Sequence, residues 1–323
     1  MNRQRVLVTG MGADLGSRVA SLLEAEPWVG QLVGFDVDPP RRRLRRAEFH
    51  LVDIADRDRI VELVTKFNPH VVVHLAVWEP STRAVPADAR RWTEQAATAF
   101  LGAAAECRAL EAIVHRSGIE VYGRARGAPT RPDESSPLHP TSEYGRTLAM
   151  LEQRAASVGR RVGVSVGAVR LASVLGPHVP SPLGRLLRQP IVPFSLLADS
   201  PFAVVEDIDA ARAIVAAAAT RLAEPVNVVA PGAITGLQAA LRGRRIPLAT
   251  IGPEWPLLRR FSNLVGAPVP DHVLELMHRG RLADGARAAE LLGIRLTTST
   301  PEVIDRLHAW DSVMRFTPDR SVA

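Results

Sequence analysis

Arg5-Val6-Leu7-Val8-Thr9 runs directly into Gly10-Met11-Gly12-Ala13-Asp14-Leu15-Gly16, and Ser17–Ala25 follows with Val19, Leu22 and Leu23 on one side. The first piece is a β-branched apolar run of strand type, and the last has the apolar period of a helix. A tight strand-to-helix turn aims backbone N–H groups and the positive helix end at one point. An anion is stabilised there, and a side chain would obstruct it. The cradle comprises Gly10, Gly12, Asp14, Leu15 and Gly16. Its spacing, Gly-x-Gly-x-x-x-Gly, is one residue longer at the end than the common dinucleotide fingerprint. The order strand, glycines, helix therefore carries more weight than the glycine count.

A second strand, Gln31–Phe35, ends at Asp36, 20 residues after Gly16. A carboxylate there can accept both adenosine-ribose hydroxyls and would repel a 2′-phosphate, which favours NAD. The run Arg41, Arg42, Arg43, Arg45 and Arg46 keeps NADP open, because a flexible loop could bring a guanidinium to that phosphate.

Outward from this unit the α/β alternation continues. Strands are expected at Glu48–Val52, Val71–Leu75, Ala112–His115 and Val164–Val169, with helices at Asp56–Phe67, Arg90–Ala109 and Tyr144–Ala156. This order implies right-handed crossovers and a doubly wound parallel sheet of the Rossmann kind, covered on both faces. The stretch RARGAPTRPDESSPLHPTSE is too polar to pack as an element. From Gly176 prolines accumulate, which marks departure from the sheet. A helix at Asp207–Ala219 and a strand at Val226–Val229 return to it. The expected division is a dinucleotide domain over 1–175, rejoined by 203–230, and a smaller mixed substrate lobe from 176–202 and 231–323. That lobe ends in a helix, Pro301–Trp310.

The 323 residues are 46% hydrophobic and 23% charged, an ordinary globular balance. A net charge of +6 and a pI near 10.6 invite a nucleic-acid reading. The arginines are scattered among acids, however, and no zinc-finger spacing or aromatic RNA-binding signature accompanies them, so no specific nucleic-acid partner is expected. Cys107 is the single cysteine, which suits a reducing compartment. No stretch reaches the roughly 18 apolar residues of a membrane span, and the apolar run after Met1 stops at Gly10. A soluble, cytoplasmic protein is the expectation.

Several segments, in order, resemble the extended short-chain dehydrogenase/reductase family, also called the NAD-dependent epimerase/dehydratase family. Thr9, Gly10 and Gly16 match its glycine motif, with Ala13 at the middle glycine. Asp53, with Ile54 beside it, matches the acid that meets the adenine. His74-Leu75-Ala76 matches the segment lining the cofactor. Ser117-Gly118-Ile119-Glu120-Val121-Tyr122-Gly123 resembles Ser-Ser-x-x-Val-Tyr-Gly, and Ser117 is counted with the cofactor residues through it. Glu134, Pro137, Pro140, Tyr144 and Gly145 meet the pattern around the catalytic tyrosine, and VRLASVLGP, FAVVEDIDAA and VNVVAPGAIT resemble later segments. The likeness runs from about Arg5 to Trp310. It implies NAD, a hydroxylated small-molecule substrate such as a sugar nucleotide, and room for a homodimer.

The family's chemistry uses a Tyr that exchanges a proton, a Lys four residues on that lowers the Tyr pKa, and a Ser or Thr that orients the oxygen. Tyr144 is present, but Leu148 stands at the Lys position and Gly118 at the Ser position. Leu148 shares the tyrosine's helix face. Arg146 lies roughly 200° around it and cannot substitute directly. Strand alternation turns Ser117 away from the side that Gly118 faces. His115 and Arg116 are candidate sources of positive charge, and Glu94 takes the place of a helix Asn. Ser173, at a substrate-facing Asn position, is a candidate substrate contact. Two readings follow: an NAD(P)-dependent oxidoreductase, epimerase or dehydratase with an altered catalytic set, or a dinucleotide-binding sensor or structural protein without turnover.

Overall fold

The structure, a computed structural model, describes residues 3–81, 84–251 and 269–309. Seven parallel strands form the central sheet: β1 (Gln4–Thr9), β2 (Val29–Asp36), β3 (Glu48–Leu51), β4 (Val71–His74), β5 (Ala112–Gly118), β6 (Ser165–Leu171) and β10 (Val226–Val228). Their spatial order is β10-β6-β5-β4-β1-β2-β3. The chain winds outward from β1 to one edge and then from β4 to the other. The C-terminal ends of β1 and β4 therefore flank the switch point where ligands bind in such sheets. Every residue of β4, VVVH, is buried, as expected for a strand covered on both faces.

The helices that cover this sheet are α1 (Asp14–Leu23), α2 (Arg57–Phe67), α3 (Pro86–Ala104), α4 (Glu143–Val162) and α6 (Asp207–Thr220). Their ends obey local chemistry. Asp56 caps α2 by accepting from Arg59 N, and α2 stops at left-handed Asn68. Pro86 starts α3 four residues before the expected Arg90, where its missing N–H costs nothing. The expected C-terminus at Ala109 falls five residues too late. Ser142 caps α4, which runs on past Ala156 to left-handed Gly163.

Strand β5 continues three residues beyond the expected His115, to Gly118. Its polar end, HRSG, lacks an apolar signal, but β6 pairs with it as far as Gly118↔Leu171 and satisfies its backbone. This extension matters, because it sets Arg116 and Gly118 on one strand face.

A second core lies beside the main one, built from residues such as Leu175, Leu187, Phe202, Ile234, Met277 and Leu307. It holds short elements that the sequence pattern did not announce. These are the parallel pair β7 (Ser173–Leu175) and β9 (Val204–Glu206), the parallel pair β8 (Ile191–Ser195) and β11 (Ile246–Thr250), and helices α5 (Pro182–Leu187), α7 (Gly236–Arg242) and α8 (Asp271–Arg279). Helix α9 (Arg287–Leu292) instead buries Ala288 and Leu292 against the main core. The last described helix, α10, is Thr300–Ala309; Trp310 lies outside the described residues. Among the described residues, no helix is long and apolar enough to cross a membrane.

Candidate functional site

At the switch point Thr9 pairs in register with His74. Gly10 turns there with φ +74°, and a Cβ on it would sit 2.6 Å from the Leu75 carbonyl carbon, so only glycine fits. A Cβ on Gly16 would overlap the Gly10 carbonyl oxygen. Helix α1 thus packs directly onto the turn, and no side chain caps its N-terminus. Gly12 N donates to Asp36 Oδ2 at 2.7 Å and Val37 N to Oδ1 at 2.6 Å, which fixes the carboxylate at the end of β2. Asp14, Leu15 and Gly16 form the first turn of α1, so the cradle and Asp36 come together.

Leu75 and Ala76 are buried beside this turn, with Ala76 N donating to Thr9 Oγ1 at 3.3 Å. Asp53 is exposed just past β3 and accepts from Ala55 N at 2.9 Å, and Ile54 is half-buried next to it. An uncapped helix start, a turn with no room for Cβ atoms and a fixed carboxylate on the adjacent strand fit a dinucleotide.

Parts of the arginine run are engaged locally. Arg41 pairs with Asp14 at 3.1 Å, and its backbone N donates to Ser17 Oγ. Arg46 donates to the carbonyls of Glu24 and Val29. Burial pushes the Asp14 carboxyl above its usual range, with Arg41 opposing.

On β5, alternation sends Ser117 to the far face. There Ser117 Oγ donates to Glu152 Oε1 at 2.5 Å. Glu152 pairs with Arg170 at 2.7 Å, Arg170 donates to Tyr122 OH, and Tyr122 donates to Asn227. This closed network satisfies its members internally. One of the two tyrosines is thereby accounted for as structure.

Arg116 faces the other way. Its Nη2 donates to Tyr144 OH at 3.3 Å, so the cation beside the phenol comes from a strand rather than from the next turn of α4. Leu148, at the expected lysine position, is 1% exposed. Arg146 donates to the Thr141 carbonyl and takes no part. The place of a Gly118 side chain is filled by Glu120, whose Oε2 would overlap a Cβ there. Glu120 is buried and pairs with Arg281 at 3.1 Å, and Arg281 pairs with Glu275 at 2.6 Å.

Two further residues complete the group, and the sequence reading missed both. Glu79 Oε2 lies 3.7 Å from Arg116 Nη2, and Glu79 Oε1 lies 3.1 Å from His272 Nε2. The His272 ring packs on Tyr144 with centroids 4.8 Å apart. An acid in the apolar stretch LAVWEP was a usable signal for Glu79. His272 lies 193 residues away from it, and nothing near it in sequence points to this site.

The electrostatics follow from burial and these partners. Burial pushes the Tyr144 phenol above its ordinary range, and Arg116 only partly offsets this against Glu79 and Glu120. Burial alone would lower His272, but Asp271 and Glu79 outweigh it and raise the imidazole to about 9. Of these two, Glu79 is the hydrogen-bonded partner, because Asp271 at 3.8 Å is beyond hydrogen-bond range. Burial would raise Glu79, yet His272 and Arg116 bring it below the usual carboxylate range. At neutral pH the group therefore reads phenol, guanidinium, carboxylate and imidazolium. His115 supplies no charge, since burial lowers its pKa. Ser173 is half-buried on β7, and Glu94 pairs with Arg90 at 2.8 Å.

Residues 6–228 match a family model described as the NAD dependent epimerase/dehydratase family. An uncharacterised protein of Mycobacterium tuberculosis is 28% identical over 311 residues, covering 93% of this chain and 82% of that protein. The structure of UDP-glucose 4-epimerase from Brucella ovis in complex with NAD is similar with a TM-score of 0.73, at 21% identity over 95% of this chain and 97% of that one. UDP-glucuronic acid 4-epimerase from Bacillus cereus, in complex with UDP-glucuronic acid and NAD, also gives 0.73, at 20% identity over 94% and 98%. These structural likenesses bear on the fold. With the model spanning well over half its length, the chain belongs to the NAD dependent epimerase/dehydratase family.

Proposed function

We propose that the protein is an NAD-dependent epimerase, dehydratase or reductase that acts on a sugar nucleotide. The observation that carries this reading is the meeting of Tyr144, Arg116, Glu79 and His272 at the C-terminal ends of β4 and β5, the edge that also bears the glycine cradle. The backbone N–H groups of Asp14, Leu15 and Gly16 in the first turn of α1 would hold the pyrophosphate, Gly10 and Gly12 would leave room for it, and Asp36 would hold the adenosine ribose. Once bound, NAD supplies hydride chemistry.

The chain's own residues supply the rest. Tyr144 holds its proton at neutral pH and acts as a hydrogen-bond donor toward a substrate oxygen, with Arg116 polarising the phenol from behind. Arg116 thus stands in for the absent ammonium as a source of charge, without making the phenol a base. The second core, from residues such as Ser173 onward, would shape the substrate pocket.

The alternative, a dinucleotide-binding protein without turnover, draws on Leu148, which replaces the usual cation with a packed alkyl chain. Calorimetric titration with NAD and NADP, followed by incubation of the NAD-loaded protein with UDP- and dTDP-hexoses, separates the two. Product formation lost in Tyr144→Phe supports the enzyme. Tight NAD binding with no conversion of any of these sugars supports the second reading.

A further inference from the structure

Among the four clustered groups, Glu79 is the one most exposed to solvent. Its side chain is 27% exposed and that of Arg116 18%, whereas Tyr144 is 5% exposed and the His272 side chain 2%. Its backbone is held on both sides. Trp78 N donates to Thr93 Oγ1 at 3.0 Å, Thr93 is fully buried, and Pro80 follows with its fixed φ. The backbone is therefore anchored, and the 3.1 Å contact with His272 holds the carboxylate.

Among the described residues, its acceptor capacity is mostly unspent. An ionised carboxylate offers about four lone-pair sites. His272 takes one on Oε1, and Arg116 at 3.7 Å is an ion pair too long for a hydrogen bond. The same Arg116 Nη2 touches the Tyr144 oxygen, so Glu79 Oε2 and Tyr144 OH flank one guanidinium nitrogen. An acceptor and a donor are thus gathered about one cation. The ligand group that satisfies both is a hydroxyl, which donates to the carboxylate and accepts from the phenol. A phosphate or carboxylate would meet Glu79 as a like charge.

Resting on the sugar-nucleotide reading above, we propose that Glu79 binds and orients a hydroxyl of the substrate's sugar, with His272 and Arg116 as the positioning residues that hold its carboxylate. Glu79 is thus a specificity determinant that tells a hydroxylated sugar from the bare nucleotide. It has no part in holding the dinucleotide. Glu120 does not share the role, because Arg281 already engages it in a buried pair.

The test compares affinities in the NAD-loaded full chain for UDP-glucose, UDP-galactose and dTDP-glucose against UDP and dTDP. Wild type should prefer at least one sugar nucleotide over its bare nucleotide by about 10- to 100-fold, the range for a hydrogen bond to a charged group. Glu79→Gln should bring that ratio close to one, with NAD and bare-nucleotide affinities unchanged. Because the single change leaves the buried His272 cation without its partner, Glu79→Gln/His272→Gln provides a second variant with a neutral amide pair. It should lose the same preference. A preference retained in both variants overturns the role of Glu79 and leaves the sugar-nucleotide reading standing. If wild type binds NAD but none of the sugar nucleotides, that reading falls and the proposal with it.

Discussion

Arg116 Nη2 donates to Tyr144 OH at 3.3 Å, across from the helix position that Leu148 occupies. The charge beside the phenol therefore lies on a strand, where it also faces Glu79 at 3.7 Å. A guanidinium shared with a carboxylate stabilises phenolate less than an unshared ammonium would, and burial of Tyr144 works against phenolate further.

Tyr144 should accordingly show no phenolate at or below pH 9 by ultraviolet difference absorbance, with Tyr144→Phe identifying its signal. Arg116→Leu should move the titration still higher. A phenolate forming near pH 7 in wild type would mean that Tyr144 serves as the base after all.

Restoring the family's catalytic set should be unequal in its effects. Leu148→Lys puts an ammonium on the tyrosine's face and should lower the Tyr144 titration. It also buries a cation, at a cost of a few kcal/mol unless Glu120 pairs with it. Gly118→Ser must shift Glu120, whose Oε2 fills the space of the new Cβ while its Oε1 pairs with Arg281, and it also crowds Leu148. Urea denaturation should show this substitution destabilising the fold by about 1–3 kcal/mol. A neutral Gly118→Ser would contradict the filled space seen beside that glycine.

For the cradle, Gly16→Val should abolish NAD binding in calorimetry while circular dichroism stays near wild type. The new side chain collides with the Gly10 carbonyl at the turn and not with the sheet. NAD should bind more tightly than NADP, because Asp36 is fixed where a 2′-phosphate would approach. Tighter NADP binding that vanishes on neutralising Arg42 and Arg43 would reverse that preference.

Arg41→Ala should weaken NAD about tenfold. It removes the ion-pair partner of the Asp14 carboxylate in the first turn of α1, next to the expected pyrophosphate. Asp14→Asn/Arg41→Ala should recover most of the loss. Failure of that rescue would indicate that Arg41 contacts the dinucleotide itself.

His272 predicts an alkaline limit to stability. Its pKa rises from 6.5 to about 9 on folding, so the folded state binds the proton more tightly. That contribution is full below about pH 6.5 and is lost as pH climbs through about 9, with an upper bound of about 3 kcal/mol. The buried, neutral His74, lowered to about 3, and His115 act oppositely and weaken the fold on acidification below their ordinary value. Urea denaturation at pH 7.5 and 9.5 should show a drop that His272→Gln removes. An equal drop in that variant would assign the alkaline loss to other groups.

Segments with one dominant local signal were legible before the structure. The apolar runs of β1 and β4, the glycine turn, Asp36 and the position of Tyr144 each sit where a short stretch of residues dictates. Residues 171–206 and 234–250 were not legible, because β7, β8, β9 and β11 are three to five residues long and gain their order from pairing with strands distant in sequence. The polar end of β5 escaped for the same reason: its neighbours, not its side chains, hold it extended.

The sequence by itself determined the parallel sheet, the cradle at its switch point and the absence of a lysine after Tyr144. These follow from periodicity, from glycines that no other residue can replace and from helix geometry, all of which are local. Only the tertiary structure decided what surrounds that tyrosine. Arg116 reaches it because β5 runs three residues further than its composition suggests, and Glu120 fills the space beside Gly118. His272 arrives from α8, 193 residues beyond Glu79, to meet a carboxylate that burial would otherwise make costly. Such a cluster forms because buried charges must find partners wherever the fold provides them, and distance along the chain carries no record of that need.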